Sequence, residues 1–267
     1  MTAIAVVLVI LYQYSALILH RLYIIRDLPG VLDYENLWYW VFVIFLAIVF
    51  RDRIKNDFLV RSPIKLNTWV WVFFLWVVSI FIISHLRDYL EYLTGLYDMS
   101  ITENILNRSK NTTEIRMQRE SYNPYISAFV VPFVEEFDCR FVLISLGSLI
   151  LPRKLTIVLS IFLFALAHNI IAWYNYDFYN VLAMFPYLIM GILLVVLHIK
   201  FGLFYAIFFH ALTNSMVAHR FLKEAEIDLL LVKLFILSSF LLLFVCLLFL
   251  VYKLIVEGYR KFRVAKQ

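Results

Sequence analysis

Long apolar runs, and not alternation, dominate the pattern along this chain. A helix that crosses hydrocarbon needs about 20 apolar residues in succession. Segments near 3–20, 34–50, 68–86, 123–150, 155–174, 179–198, 201–219 and 228–256 meet or approach that length. The pattern predicts an all-α fold: a polytopic membrane helix bundle of eight transmembrane helices, forming one integral membrane domain over residues 1–267. The second segment is short and opens on Tyr34, Trp38, Tyr39 and Trp40, which suit the headgroup boundary. The connections are brief except for residues 87–122, which are polar and read as an extramembrane loop. No internal repeat is visible, so a transporter built from inverted repeats gains no support.

Composition reinforces this reading. Of 267 residues, 64% are hydrophobic and 16% charged, against about 25% charged in an ordinary soluble domain. Too few polar side chains remain to cover a water-facing surface, and disorder is excluded. The net charge of +5 then reads as loop charge facing a lipid bilayer, with no nucleic-acid partner implied. Arg51, Arg53, Lys55, Arg61, Lys65, Arg153, Lys154, Lys200 and the basic C-terminal tail fall on one face. This is the richer face in Lys and Arg, and it predicts both termini in the cytoplasm. High aromatic content and the lack of targeting features point to a bacterial plasma membrane. Cys139 and Cys246 lie in apolar stretches, which argues against a disulfide framework.

Against this background the polar residues inside apolar segments carry the chemistry. An ionisable group at mid-membrane costs about 2.5–3.5 kcal/mol on insertion scales and marks a functional site by default. The fourth segment contains Glu135, Glu136, Asp138 and Arg140 within six residues. Glu136 and Arg140 are four apart and can pair on one helix face, which leaves Glu135 for another task. His168 lies in the fifth segment, and His210 and Asn214, again four apart, lie in the seventh. The bland reading is interhelical ion pairing and polar glue. The sharper ones are water activation with oxyanion stabilisation, or a metal site, since His and Glu ligate zinc. His20, His85, His198 and His219 sit near segment ends, where headgroups or loop water are expected.

Glu135-Glu136-x-x-x-Arg140, Phe164-x-x-x-His168 and His210-x-x-x-Asn214, in that order on three apolar segments, resemble the three motifs of the CPBP (Abi) family. That family includes the type II CAAX prenyl endopeptidases. The resemblance covers a motif-bearing core at residues 123–219. It implies a membrane-embedded, metal-independent glutamate endopeptidase without a cofactor. Glu135 would be the general base, and His168 would hold and polarise the attacking water. His210 and Asn214 would stabilise the oxyanion, and Glu136 with Arg140 would form a fixing ion pair. The substrate implied is a peptide or protein, lipidated or membrane-anchored ones included. Cys139 and Phe141 flank Arg140 where the family commonly has a bulky residue and a glycine, so Phe141 is expected to narrow the space there. Two other readings stand beside this one: a non-catalytic membrane regulator or bacteriocin-immunity protein of the same fold, and a metal-dependent membrane hydrolase.

Overall fold

The computed structural model describes residues 37–58, 65–97, 125–173, 184–222 and 230–264. Over these residues the chain is almost entirely helical. In chain order the helices are α1 (Leu37–Val49), α2 (Arg51–Phe58), α3 (Leu66–Tyr97) and α4 (Val131–Glu136). They are followed by α5 (Arg153–Trp173), α6 (Phe185–Phe201), α7 (Leu203–Leu222) and α8 (Leu230–Val264). Seven of the eight expected apolar segments coincide with helical stretches; the segment 3–20 lies outside the described residues. Among the described residues, two helices carry windows long and apolar enough to cross a membrane, Leu66–Ile83 in α3 and Leu230–Tyr259 in α8.

Three features differ from the sequence pattern. Helix α3 continues to Tyr97, so the polar segment expected as a loop from residue 87 begins as helix. The short polar helix α2 follows α1 almost at once. Arg53 Nη1 donates to the Ser145 carbonyl at 3.1 Å and pins α2 under the site-bearing helix. Asp57 of α2 faces Ser145 and the charges of Arg53 and Arg153, but partial burial outweighs them and pushes its carboxyl above the usual range. The third feature is α4 itself. It is one α-helical stretch between π-helical turns at Ile126–Val130 and Phe137–Leu146, closed by a 3-10 turn at Gly147–Leu149. Pro132 has no N–H, and its ring would crowd the carbonyl one turn back in a regular α-helix. The wider π turn directly before it relieves that crowding.

The main apolar core joins α3, α6 and α7. Trp69 alone meets Phe73, Phe204, Tyr205 and Phe208. Phe141 is fully buried and packs with Phe137 at 5.1 Å in a second cluster with Val43 and Leu46 of α1. Its ring is therefore absorbed into the packing against α1.

Two glycines set how the helices meet. A Cβ on Gly191 would lie 3.3 Å from the Ile161 carbonyl and 3.4 Å from Phe164, so its lack of a side chain lets α6 settle closely on α5. Gly202 has φ 114° and separates α6 from α7. Its N–H donates to the Leu197 and His198 carbonyls, which ends α6 and turns the chain straight into α7. This conformation is open essentially to glycine alone and costs other residues about 1–3 kcal/mol. Gly202→Ala should therefore lower the thermal unfolding midpoint by an amount equivalent to roughly 1–3 kcal/mol. Unfolding of the detergent-solubilised protein, followed by circular dichroism, measures this; an unchanged midpoint would refute it.

Candidate active site

The three motif segments converge. Glu135 and Glu136 end α4, His168 lies on α5 and His210 on α7. Consecutive positions on α4 point in directions about 100° apart, so the two carboxylates serve different neighbours. Glu136 is fully buried and lies 3.1 Å from Arg140 Nε through Oε2. This is an ion pair without the geometry of a linear hydrogen bond. Its other oxygen, Oε1, is 3.0 Å from His210 Nδ1. Because Glu136 is the carboxylate facing Arg140, the Nδ1–H of His210 donates to it.

Glu135 meets the other side of the same imidazole. Its Oε2 is 3.5 Å from His210 Nε2 and 3.6 Å from His168 Nε2. Both exceed ordinary hydrogen-bond length. His168 Nδ1 lies 2.8 Å from the Phe164 carbonyl and donates to it, which turns Nε2 toward Glu135. One donor atom each from Glu135, His168 and His210 lie within 4.8 Å of one another. Asn214 lies one turn beyond His210 on α7 and is partly buried.

Exposure divides the cluster. The side chains of Glu136 and Arg140 are 0% exposed and that of His210 3%, whereas Glu135 and His168 are 24% and 23% exposed. The inner set is sealed, and the open side belongs to Glu135 and His168.

Residues 121–216 match the family model described as Type II CAAX prenyl endopeptidase Rce1-like. This region belongs to the CPBP/CAAX family. The match spans all three motif segments and the residues from Glu135 to Asn214. Comparison with curated proteins and with solved structures gives no match.

Within this CPBP/CAAX region, further residues hold the site that the motif reading did not single out. Ser160 of α5 accepts from Arg140 Nη1 at 2.7 Å and donates to the Cys139 carbonyl at 2.7 Å. Phe164 lies under the guanidinium, 4.9 Å from Arg140 Cζ to the ring centroid, and touches the imidazoles of His168 and His210. Ser160, Phe164 and His168 are spaced by four along one face of α5. That spacing is visible in the sequence, but a serine in an apolar helix draws no notice without its partner.

His198 corrects an expectation. It lies near a segment end, yet it is only 4% exposed and feels the charges of Arg140 and Glu136. With Gly202 alone between α6 and α7, this end of α6 stays inside the bundle. Asp138 sits partly buried in the π-helical stretch after Glu136.

Removing one partner of a buried ion pair costs about 3–5 kcal/mol, because a charge is left uncompensated. Glu136→Leu should therefore destabilise more than the double variant Glu136→Leu/Arg140→Leu. Thermal unfolding of both proteins in the same detergent checks this, and a double variant less stable than the single would contradict it.

Proposed function

We propose that this chain is a membrane-embedded endopeptidase in which Glu135 is the general base. The observation that carries the reading is the placement of Glu135, a partly exposed side chain whose Oε2 lies 3.5 and 3.6 Å from two imidazole nitrogens on two other helices. Membership of the region in the CPBP/CAAX family supports peptide-bond chemistry.

In this mechanism Glu135 takes a proton from a water held beside His168. The oxygen attacks the scissile carbonyl, and charge develops on the carbonyl oxygen. His210 and Asn214, one turn apart on α7, donate hydrogen bonds to that oxyanion. Since His210 Nδ1–H is committed to Glu136, its Nε2 donates only as the imidazolium. The oxyanion would thus meet a positive charge backed by a buried carboxylate. As the C–N bond breaks, the proton held by Glu135 passes to the departing amine. Glu136 and Arg140 take no part in bond making; they fix His210 and the local field. The substrate is a peptide or protein, and a lipid-anchored one would reach the site from within the bilayer.

General-base catalysis is worth about 10²–10⁴-fold. Glu135→Gln and His168→Ala should lower cleavage of a reporter peptide in proteoliposomes by at least the lower figure, while membrane insertion is unchanged. If both variants keep full biological activity, a non-catalytic regulator or immunity protein is the better description.

One observation favours a second reading, a metal-dependent hydrolase. Glu135, His168 and His210 present three donor atoms within 4.8 Å. Two histidines and one glutamate form a known three-ligand set of catalytic zinc sites. The Nδ1 bonds to Phe164 and Glu136 orient both Nε2 atoms as outer-shell partners orient metal ligands. Metal content and cleavage measured in parallel after chelation separate the two. Cleavage retained in metal-free protein supports the general base; cleavage lost with stoichiometric metal and restored by its return supports the metal.

A further inference from the structure

His168 is, with Glu135, one of the two partly exposed members of the cluster. It is 23% exposed, and its hydrogen bond to the Phe164 carbonyl fixes only one atom of the ring. A ring held at one atom can still pivot, and pivoting would move Nε2 away from Glu135. The Phe164 ring meets the imidazole at a tilt, with centroids 4.4 Å apart, and a further, stacked contact comes from α6. The ring of Tyr187 stacks on that of His168 with centroids 5.0 Å apart and planes 26° apart. Tyr187 is the first-turn residue of α6 that faces α5, and it is 38% exposed, so its outer part borders the open side of the site.

The contact follows from how α5 and α6 are registered. Gly191 packs on Phe164. One turn earlier on α6 is Tyr187, and one turn later on α5 is His168. Close approach at the glycine therefore seats the tyrosine ring on the histidine ring. Aromatic stacking of this kind prefers defined offsets and orientations. We infer that Tyr187 is a positioning residue: its ring, and not its hydroxyl, holds the His168 imidazole in the plane that aims Nε2 at Glu135. The catalytic part of this statement rests on the endopeptidase reading; the restraint on the ring does not.

Partners that orient metal-ligating histidines are typically worth about 10–100-fold, and an effect at the low end of that range is expected for a ring contact on His168. Tyr187→Leu should lower kcat about tenfold and leave KM within about twofold, whereas Tyr187→Phe should retain wild-type kcat. Independently of activity, carbethoxylation of His168 by diethylpyrocarbonate, mapped by mass spectrometry, should accelerate severalfold in Tyr187→Leu and not in Tyr187→Phe. Should Tyr187→Leu fail to reach the membrane, Tyr187→Met replaces it in both assays. An equal loss of kcat in the Phe and Leu variants, an effect confined to KM, or unchanged His168 reactivity in the Leu variant would each overturn the proposal. If the wild-type protein cleaves no peptide, the endopeptidase reading fails by itself, and the carbethoxylation rates alone decide whether Tyr187 restrains the ring.

Discussion

A carboxylate and a guanidinium sealed from solvent govern the centre of this protein. Glu136 and Arg140 are both fully buried, and charges in such a place persist only if neighbours replace the water they have lost. The surrounding helices are arranged to do so. Ser160 and the face of Phe164 come from α5, and His210 comes from α7. Residues between Glu135 and His210 are thus committed in part by electrostatics, before any chemistry is considered. Such pairs often add little net stability. Their effect is to make wrong arrangements of the helices expensive, because any misplacement leaves a buried charge alone.

The two faces of His210 divide the cluster into a part that holds and a part that can react. Nδ1 points into the sealed pair, and Nε2 points to Glu135. Adjacent glutamates therefore differ in surroundings through direction alone. Glu136 is locked in an inner network. Glu135 is a quarter exposed and is the more accessible of the two carboxylates. Both readings of the chemistry, general base and metal ligand, use the Glu135 carboxylate, whose Oε2 faces the two imidazoles.

Much of this was legible in the sequence, for physical reasons. Ionisable residues inside apolar segments are so costly that Glu135, Glu136, Arg140, His168 and His210 stand out from their surroundings. Four-residue spacing foretold the Glu136–Arg140 pair, which the structure contains. Other features left no such mark. Ser160 is a small polar residue that an apolar helix tolerates, and its importance lies in a partner twenty positions away. Tyr187 reads as one more interfacial aromatic, because stacking on His168 depends on the register between two helices. The π-helical stretches around α4 change how many backbone atoms close each turn, and hydropathy does not report that. His198 is buried despite its place near a segment end because such a place means nearness to water only when the connection is long, and here it is Gly202 alone.

The polar contacts also form a closed circuit. From Ser160 on α5 they pass to Arg140 and Glu136, then to His210 on α7, then to Glu135, and return to α5 at His168. The two points of attachment on α5 are eight residues apart, about 12 Å along the axis. That interval behaves as a strut gripped at both ends. Tilting or sliding α5 to admit a larger guest would have to lengthen a contact at the buried grip or at the exposed one. The exposed grip, at 3.6 Å, is the weaker. The framework would thus yield first at His168, on the partly exposed side of the cluster, and would hold at Ser160, where the buried charges need it closed.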